Sequence, residues 1–100
     1  NQGSAFHLSA ACFEALRRKK GCIINVSSVS GSTSDSTGAL YHMHKAAVEH
    51  MTRYHACEWG PHGVRVNAVA PWFIRTPLTE PLLSQPHFHA AVRRATSMRR

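Results

Sequence analysis

Apolar and polar positions divide the chain into five stretches. From residue 1 to about residue 18, apolar side chains recur at Ala5, Leu8, Ala11, Cys12, Ala15 and Leu16, with Phe6 and Phe13 beside them. That spacing follows the period of a helix with two apolar faces, one suited to a sheet and the other to a partner helix. Lys19-Lys20-Gly21 closes the helix, with Gly21 read as its stop. Residues 22–27 form a short apolar run that ends in hydroxyls, which reads as a buried strand opening into a loop. The small polar residues from Ser28 to Gly38 suit an exposed connection. A second helix is expected over residues 39–59, with an apolar stripe of Leu40, Met43, Ala47, Met51 and Tyr54. Gly60-Pro61-His62-Gly63 breaks it, and residues 64–70 read as a second buried strand. Strand, helix and strand at this spacing make a βαβ unit with parallel neighbours. Residues 77–98 read as two short helices divided at Gln85-Pro86, with Leu78, Leu82, Leu83 and Phe88 on the inner face.

Composition narrows the class. One hundred residues suffice for one small domain. The chain opens on Asn1 inside a helical pattern and closes on Arg99-Arg100, so both ends read as cut from a larger α/β domain. Its net charge is +7. Arg17-Arg18-Lys19-Lys20 closes a helix, where cations suit the dipole, and no nucleic-acid motif accompanies it. No nucleic-acid partner is therefore expected. No apolar run is long enough for a membrane span, and none is expected. Cys12, Cys22 and Cys57 lack metal-ligand spacing and read as reduced core residues of an intracellular protein.

The chemistry centres on Tyr41 and Lys45. Four residues apart on a helix, they share a face. An ammonium beside a phenol favours the phenolate, and a phenol tuned this way exchanges protons with a carbonyl or alcohol oxygen. Ser28 stands 13 residues before Tyr41, at the end of the first strand. A strand-end hydroxyl and a Tyr on the next helix meet over the carboxyl edge of a parallel sheet, where open α/β folds bind ligands. His42/His44 and His87/His89 are spaced i, i+2. These positions diverge on a helix, so the four are read as solvent-facing and no metal is expected.

The strand ending Ser27-Ser28-Val29-Ser30-Gly31, followed by Leu40-Tyr41-x-x-x-Lys45, resembles the short-chain dehydrogenase/reductase family. Ala5-Phe6-His7-Leu8-Ser9, Thr52-Arg53, Glu58-Trp59 and Arg65-Val66-Asn67 with Val69 and Pro71 look like its plant tropinone reductase subgroup. A 3-oxoacyl-carrier-protein reductase shares most of these motifs. The resemblance implies a partial Rossmann-like, doubly wound parallel sheet and places the chain in the C-terminal half of one such domain. It implies reduction of a small-molecule ketone or other carbonyl to an alcohol, with NADP(H) favoured and NAD(H) the alternative. It casts Tyr41 as proton donor, Lys45 as partner of Tyr41 and of the nicotinamide ribose, and Ser28 as polariser of the carbonyl. Asn1 would hold a relay water. Tyr41, Lys45, Pro71, Ile74 and Thr76 would contact the cofactor, and Ser30, Trp72 and Phe73 would line the substrate pocket. Trp72 departs from the family, which has Gly there. The glycine-rich turn for the pyrophosphate is not among the hundred residues. The resemblance further implies a homodimer or homotetramer, a cytoplasmic setting and a mobile cover formed by residues 77–98. A non-catalytic remnant acting through its helices is the competing reading.

Overall fold

Each strand sends alternate side chains to opposite faces, and only one face is covered. The computed structural model describes residues 2–35 and 38–100. Asn1 therefore lies outside the described residues, as do positions 36 and 37. Helix α1 (Gln2–Lys19) leads to β1 (Cys22–Val26) and a 3-10 turn, Val29–Gly31. Helix α2 (Ala39–Trp59) follows, then a second 3-10 turn, Gly60–His62, and β2 (Arg65–Val69). Two short helices, α3 (Glu80–Leu83) and α4 (Pro86–Ala95), complete the described elements. The strands are thus slightly shorter than 22–27 and 64–70. Residues 77–98 are helical only between the turn at Thr76–Thr79 and the cap at Thr96. β1 and β2 run parallel, in register from Cys22–Arg65 to Val26–Val69. The result is a partial Rossmann-like α/β arrangement.

Helices α1 and α2 pack on each other and on the face carrying Ile23, Asn25 and Val66. Trp59, Val64 and Val66 form the core, with Phe13, Leu16, Ile23 and Ala56 against them. Ile24, Val26 and Val69 stand exposed on the other face. The strands are therefore buried on one side, not both.

Three readings of the pattern are corrected. Helix α1 turns Ser9, Phe13 and Leu16 inward, whereas Leu8, Ala11, Cys12 and Ala15 face out. Helix α2 buries Val48, Thr52, His55 and Trp59, while Leu40, Met43 and Tyr54 of the expected stripe are exposed. All three cysteines are exposed rather than in the core. The stop of α1 is also different. Lys20, at φ 53°, adopts the left-handed conformation. The Gly21 N–H closes on the Leu16 carbonyl at 2.9 Å, and Lys20 N–H on Arg17 at 3.4 Å, a Schellman end. Gly21 itself packs on Leu16: a Cβ there would stand 2.7 Å from Leu16 Cδ2, so that side chain would have to shift.

Candidate active site

The carboxyl edge of the sheet gathers the polar chemistry. Beyond the paired strands, Ser27 N–H donates to the Val69 carbonyl at 2.8 Å and Val29 N–H to the Pro71 carbonyl at 3.2 Å. The loops after β1 and β2 therefore leave the sheet side by side. Between those two bonds sits Ser28, in an extended conformation at φ −160° and ψ 156°. It caps the turn by accepting the Ser30 N–H at 3.2 Å. Its hydroxyl oxygen is the acceptor in that bond, so the hydroxyl proton is left to donate.

Lys45 reaches the same edge from α2. Its ammonium donates to the Val26 carbonyl at 3.0 Å and lies 5.7 Å from the Tyr41 ring centroid. That is within cation–π range. The two side chains share a helix face, with the cation over the ring and anchored to the end of β1. Tyr41 is half exposed, and Ser28 and Ser30 are partly buried.

A second polar set lies one turn further along α2. The Ser27 hydroxyl donates to Glu49 Oε1 at 3.0 Å and approaches the Lys45 carbonyl at 3.3 Å. Ser32 donates to Glu49 Oε2 at 3.0 Å. Deeper still, Asn25 Nδ2 donates to Thr52 Oγ1 at 2.8 Å, and both residues are buried. Sequence reasoning gave no role in the site to Ser27, Ser32, Glu49, Asn25 or Thr52. A signal was present: Asn25 and Ser27 alternate on one strand face, and Lys45, Glu49 and Thr52 follow helical spacing on α2.

The loop after β2 carries Pro71, Ile74 and Thr76. The Thr79 hydroxyl donates to the Ile74 carbonyl at 2.6 Å and accepts the Thr76 N–H at 2.9 Å, which fixes the turn into α3. Arg75 pairs with Glu80. The Ser84 hydroxyl, and then Arg75, hold the Glu80 carboxyl below its ordinary range, against partial desolvation. Trp72 meets Phe73 edge-on at 4.9 Å, and Phe73 meets Phe88 of α4 edge-on at 5.3 Å. Leu83 and Phe88 give the inner face of the α3–α4 pair, while Leu78 and Leu82 are exposed. His42 is not solvent-facing: its ring is 13% exposed, with Nδ1 3.0 Å from the Gly38 carbonyl and Nε2 3.4 Å from Asp35. Among the described residues no group of three His, Cys, Asp or Glu is placed to hold a metal. No described helix is long and apolar enough to cross a membrane.

Comparison with known proteins places this geometry among oxidoreductases. The sequence profile of a family described as enoyl-(acyl carrier protein) reductase matches residues 1–100. A tropinone reductase homologue of Arabidopsis thaliana is 43% identical over 93 residues, spanning 92% of this chain and 35% of that relative. A 4-hydroxyisoleucine dehydrogenase complexed with NADH superposes with a TM-score of 0.87 at 33% identity, over 96% of this chain and 40% of the other. A gluconate 5-dehydrogenase of Burkholderia cenocepacia, in complex with NADP and tartrate, gives 0.83 at 26% identity, over 91% and 36%. The chain thus spans about a third of the length of the curated relatives it matches.

Proposed function

The chain belongs to the short-chain dehydrogenase/reductase family of oxidoreductases, and from that premise we propose that the natural protein reduces a small-molecule ketone to an alcohol with NADPH. The observation that carries the reading is the Lys45 ammonium, 5.7 Å from the Tyr41 ring and bonded to the end of the strand that leads into Ser28. Tyr41 gives its phenolic proton to the oxygen that becomes the alcohol. Lys45 sets a positive charge over the ring from which that proton leaves. Ser28 donates its free hydroxyl proton to the carbonyl oxygen, polarising the bond under attack. Asn1 supports the water that returns a proton to Tyr41. Run backwards, the same residues take a proton from an alcohol.

The residues suit a nicotinamide dinucleotide on its reactive side. Lys45 has two ammonium protons left for a ribose after bonding Val26. Pro71, Ile74 and Thr76 stand on the loop whose Pro71 carbonyl is tied to Val29, next to Ser28. When bound, the cofactor supplies the hydride. Trp72, engaged edge-on with Phe73, fits a role beside Ser30 and Phe73 in lining the substrate pocket. Likeness to the tropinone reductase homologues favours NADP(H) over NAD(H). The exposed outer faces of α1 and α2, with Leu8, Leu40 and Met43, suit a homodimer or homotetramer. The setting we infer is cytoplasmic.

The test is carbonyl-dependent oxidation of NADPH by the natural protein, with quenching of Trp59 and Trp72 emission as the binding signal. Turnover by the wild type, with Tyr41→Phe binding NADPH but not turning over, supports the assignment. Turnover retained in Tyr41→Phe removes Tyr41 from the mechanism. Absence of NADPH binding favours the non-catalytic remnant instead.

A further inference from the structure

We propose that Glu49 is a positioning residue that sets Ser28 against Lys45, an inference that rests on the reductase reading above. Ser28 has no side-chain bond of its own to α2 among those described; its hydroxyl oxygen accepts the Ser30 N–H, within its own loop. What ties its loop to the helix is the Glu49 carboxylate. One oxygen accepts from Ser27, immediately before Ser28, at 3.0 Å, and the other from Ser32, just after the turn, also at 3.0 Å. Gly31 packs directly on this group: a Cβ there would stand 2.3 Å from Oε1 and 3.1 Å from the Lys45 carbonyl carbon. The carboxylate therefore brackets residues 27 to 32 from one point on α2.

That point is one turn beyond Lys45, on the same helix face. The Ser27 hydroxyl lies 3.3 Å from the Lys45 carbonyl as well. Loop and helix are thus fastened at the very turn that carries the ammonium. An ionised carboxylate accepts both hydroxyls without having to donate, and such charge-assisted bonds are roughly twice as strong as neutral ones. A catalytic hydroxyl displaced by about 1 Å costs up to roughly a hundredfold in rate. Both Glu49 oxygens are engaged by the loop's own hydroxyls, so it acts through Ser28.

Two readouts on the natural protein test this. The first is kinetic. Glu49→Ala should lower kcat roughly tenfold to a hundredfold, with the KM for NADPH unchanged, and Glu49→Gln should recover most of the loss. Ser28→Ala added to Glu49→Ala should cost little more, because the hydroxyl is already misplaced. The second readout needs no turnover: amide hydrogen exchange at Val29, Ser30 and Gly31 should speed up in Glu49→Ala, while β1 stays protected. If Glu49→Ala fails to fold, Ser32→Ala removes one of the two bonds from an exposed position and should speed the same amides and lower kcat by a smaller factor. Unchanged exchange at those amides overturns the proposal. So does a Ser28→Ala penalty of the same size with and without Glu49. Faster exchange in a protein that oxidises no NADPH leaves the clamp standing and removes the reductase reading.

Discussion

The two ends of one βαβ unit are held by different physics. At the amino ends of the strands, Trp59, Val64 and Val66 close on Phe13, Leu16 and Ile23, and His55 stacks on Trp59 at 4.0 Å with their planes 9° apart. At the carboxyl ends the same helix meets the same strands through Lys45, Glu49, Ser27 and Ser32. Apolar contact is non-directional and scales with buried area. Hydrogen bonds add little net stability but fix direction. One end is therefore built to keep α2 on the sheet, and the other to aim groups at whatever lies beyond the edge. Residues at the first should govern unfolding, and residues at the second should govern turnover.

The sharpest separation pairs Tyr41→Phe with Trp59→Ala in the natural protein. If Tyr41 is the general acid, its loss should cost about a hundred- to ten-thousand-fold in kcat, while the unfolding free energy of Tyr41→Phe from urea titration stays within about 0.5 kcal/mol of wild type, as for a surface change. Truncating the buried indole of Trp59 should cost about 3 to 5 kcal/mol of stability. Its effect on kcat, measured where the variant is still folded, should be small. If Trp59→Ala lowers kcat as much as Tyr41→Phe does, the division between the ends fails.

Midway along the unit, the Asn25–Thr52 bond of 2.8 Å is buried between β1 and α2. Thr52 also donates to its own helix, to Val48 O at 2.7 Å. Thr52→Val keeps the shape and strands the Asn25 amide, which should cost about 1 to 3 kcal/mol. Asn25→Leu with Thr52→Val removes both polar partners and should recover much of that loss. Urea unfolding of the two single variants and the double variant reads this out; additive losses would mean the bond is not what couples the pair.

The parallel unit and the approach of Lys45 to Tyr41 were legible because each carries a local signature: apolar runs, a Gly-Pro break, and an i, i+4 pair. Which side of α2 faces in was not legible. Its inner face mixes Val48 and Trp59 with two polar residues, Thr52, bonded to Asn25 across the packing, and His55, stacked on Trp59, whereas Leu40, Met43 and Tyr54 make a cleaner apolar stripe and point out. Hydropathy ranks the wrong side first. Glu49 escaped for a related reason. A lone Glu on a helix reads as solvated surface, and its partners Ser27 and Ser32 sit 22 and 17 residues away in a loop of many serines. Nothing local marks which serine turns inward. The left-handed Lys20 was hidden by the neighbouring Gly21, the more usual residue at that position.

The smallest effect should come from pH, through the amino end alone. His55 is 1% exposed, between Phe6 and Trp59, with Nδ1 unpaired among the described residues. Burial pushes its pKa below the ordinary 6.5, and the Glu58 carboxylate opposes that only in part. The unfolded chain therefore takes up this proton more readily than the folded one. The sign follows: the contribution of His55 is complete above about pH 6.5 and is lost as pH falls through that value and on through the lower folded one. Urea midpoints at pH 7.5 and 5.5 should show a drop for wild type and a smaller drop for His55→Phe, which keeps the ring stack and cannot protonate. Equal drops would assign the acid sensitivity to groups other than His55. A drop confined to wild type would locate it in the aromatic stack, far from the Glu49 clamp and without passing through Ser28.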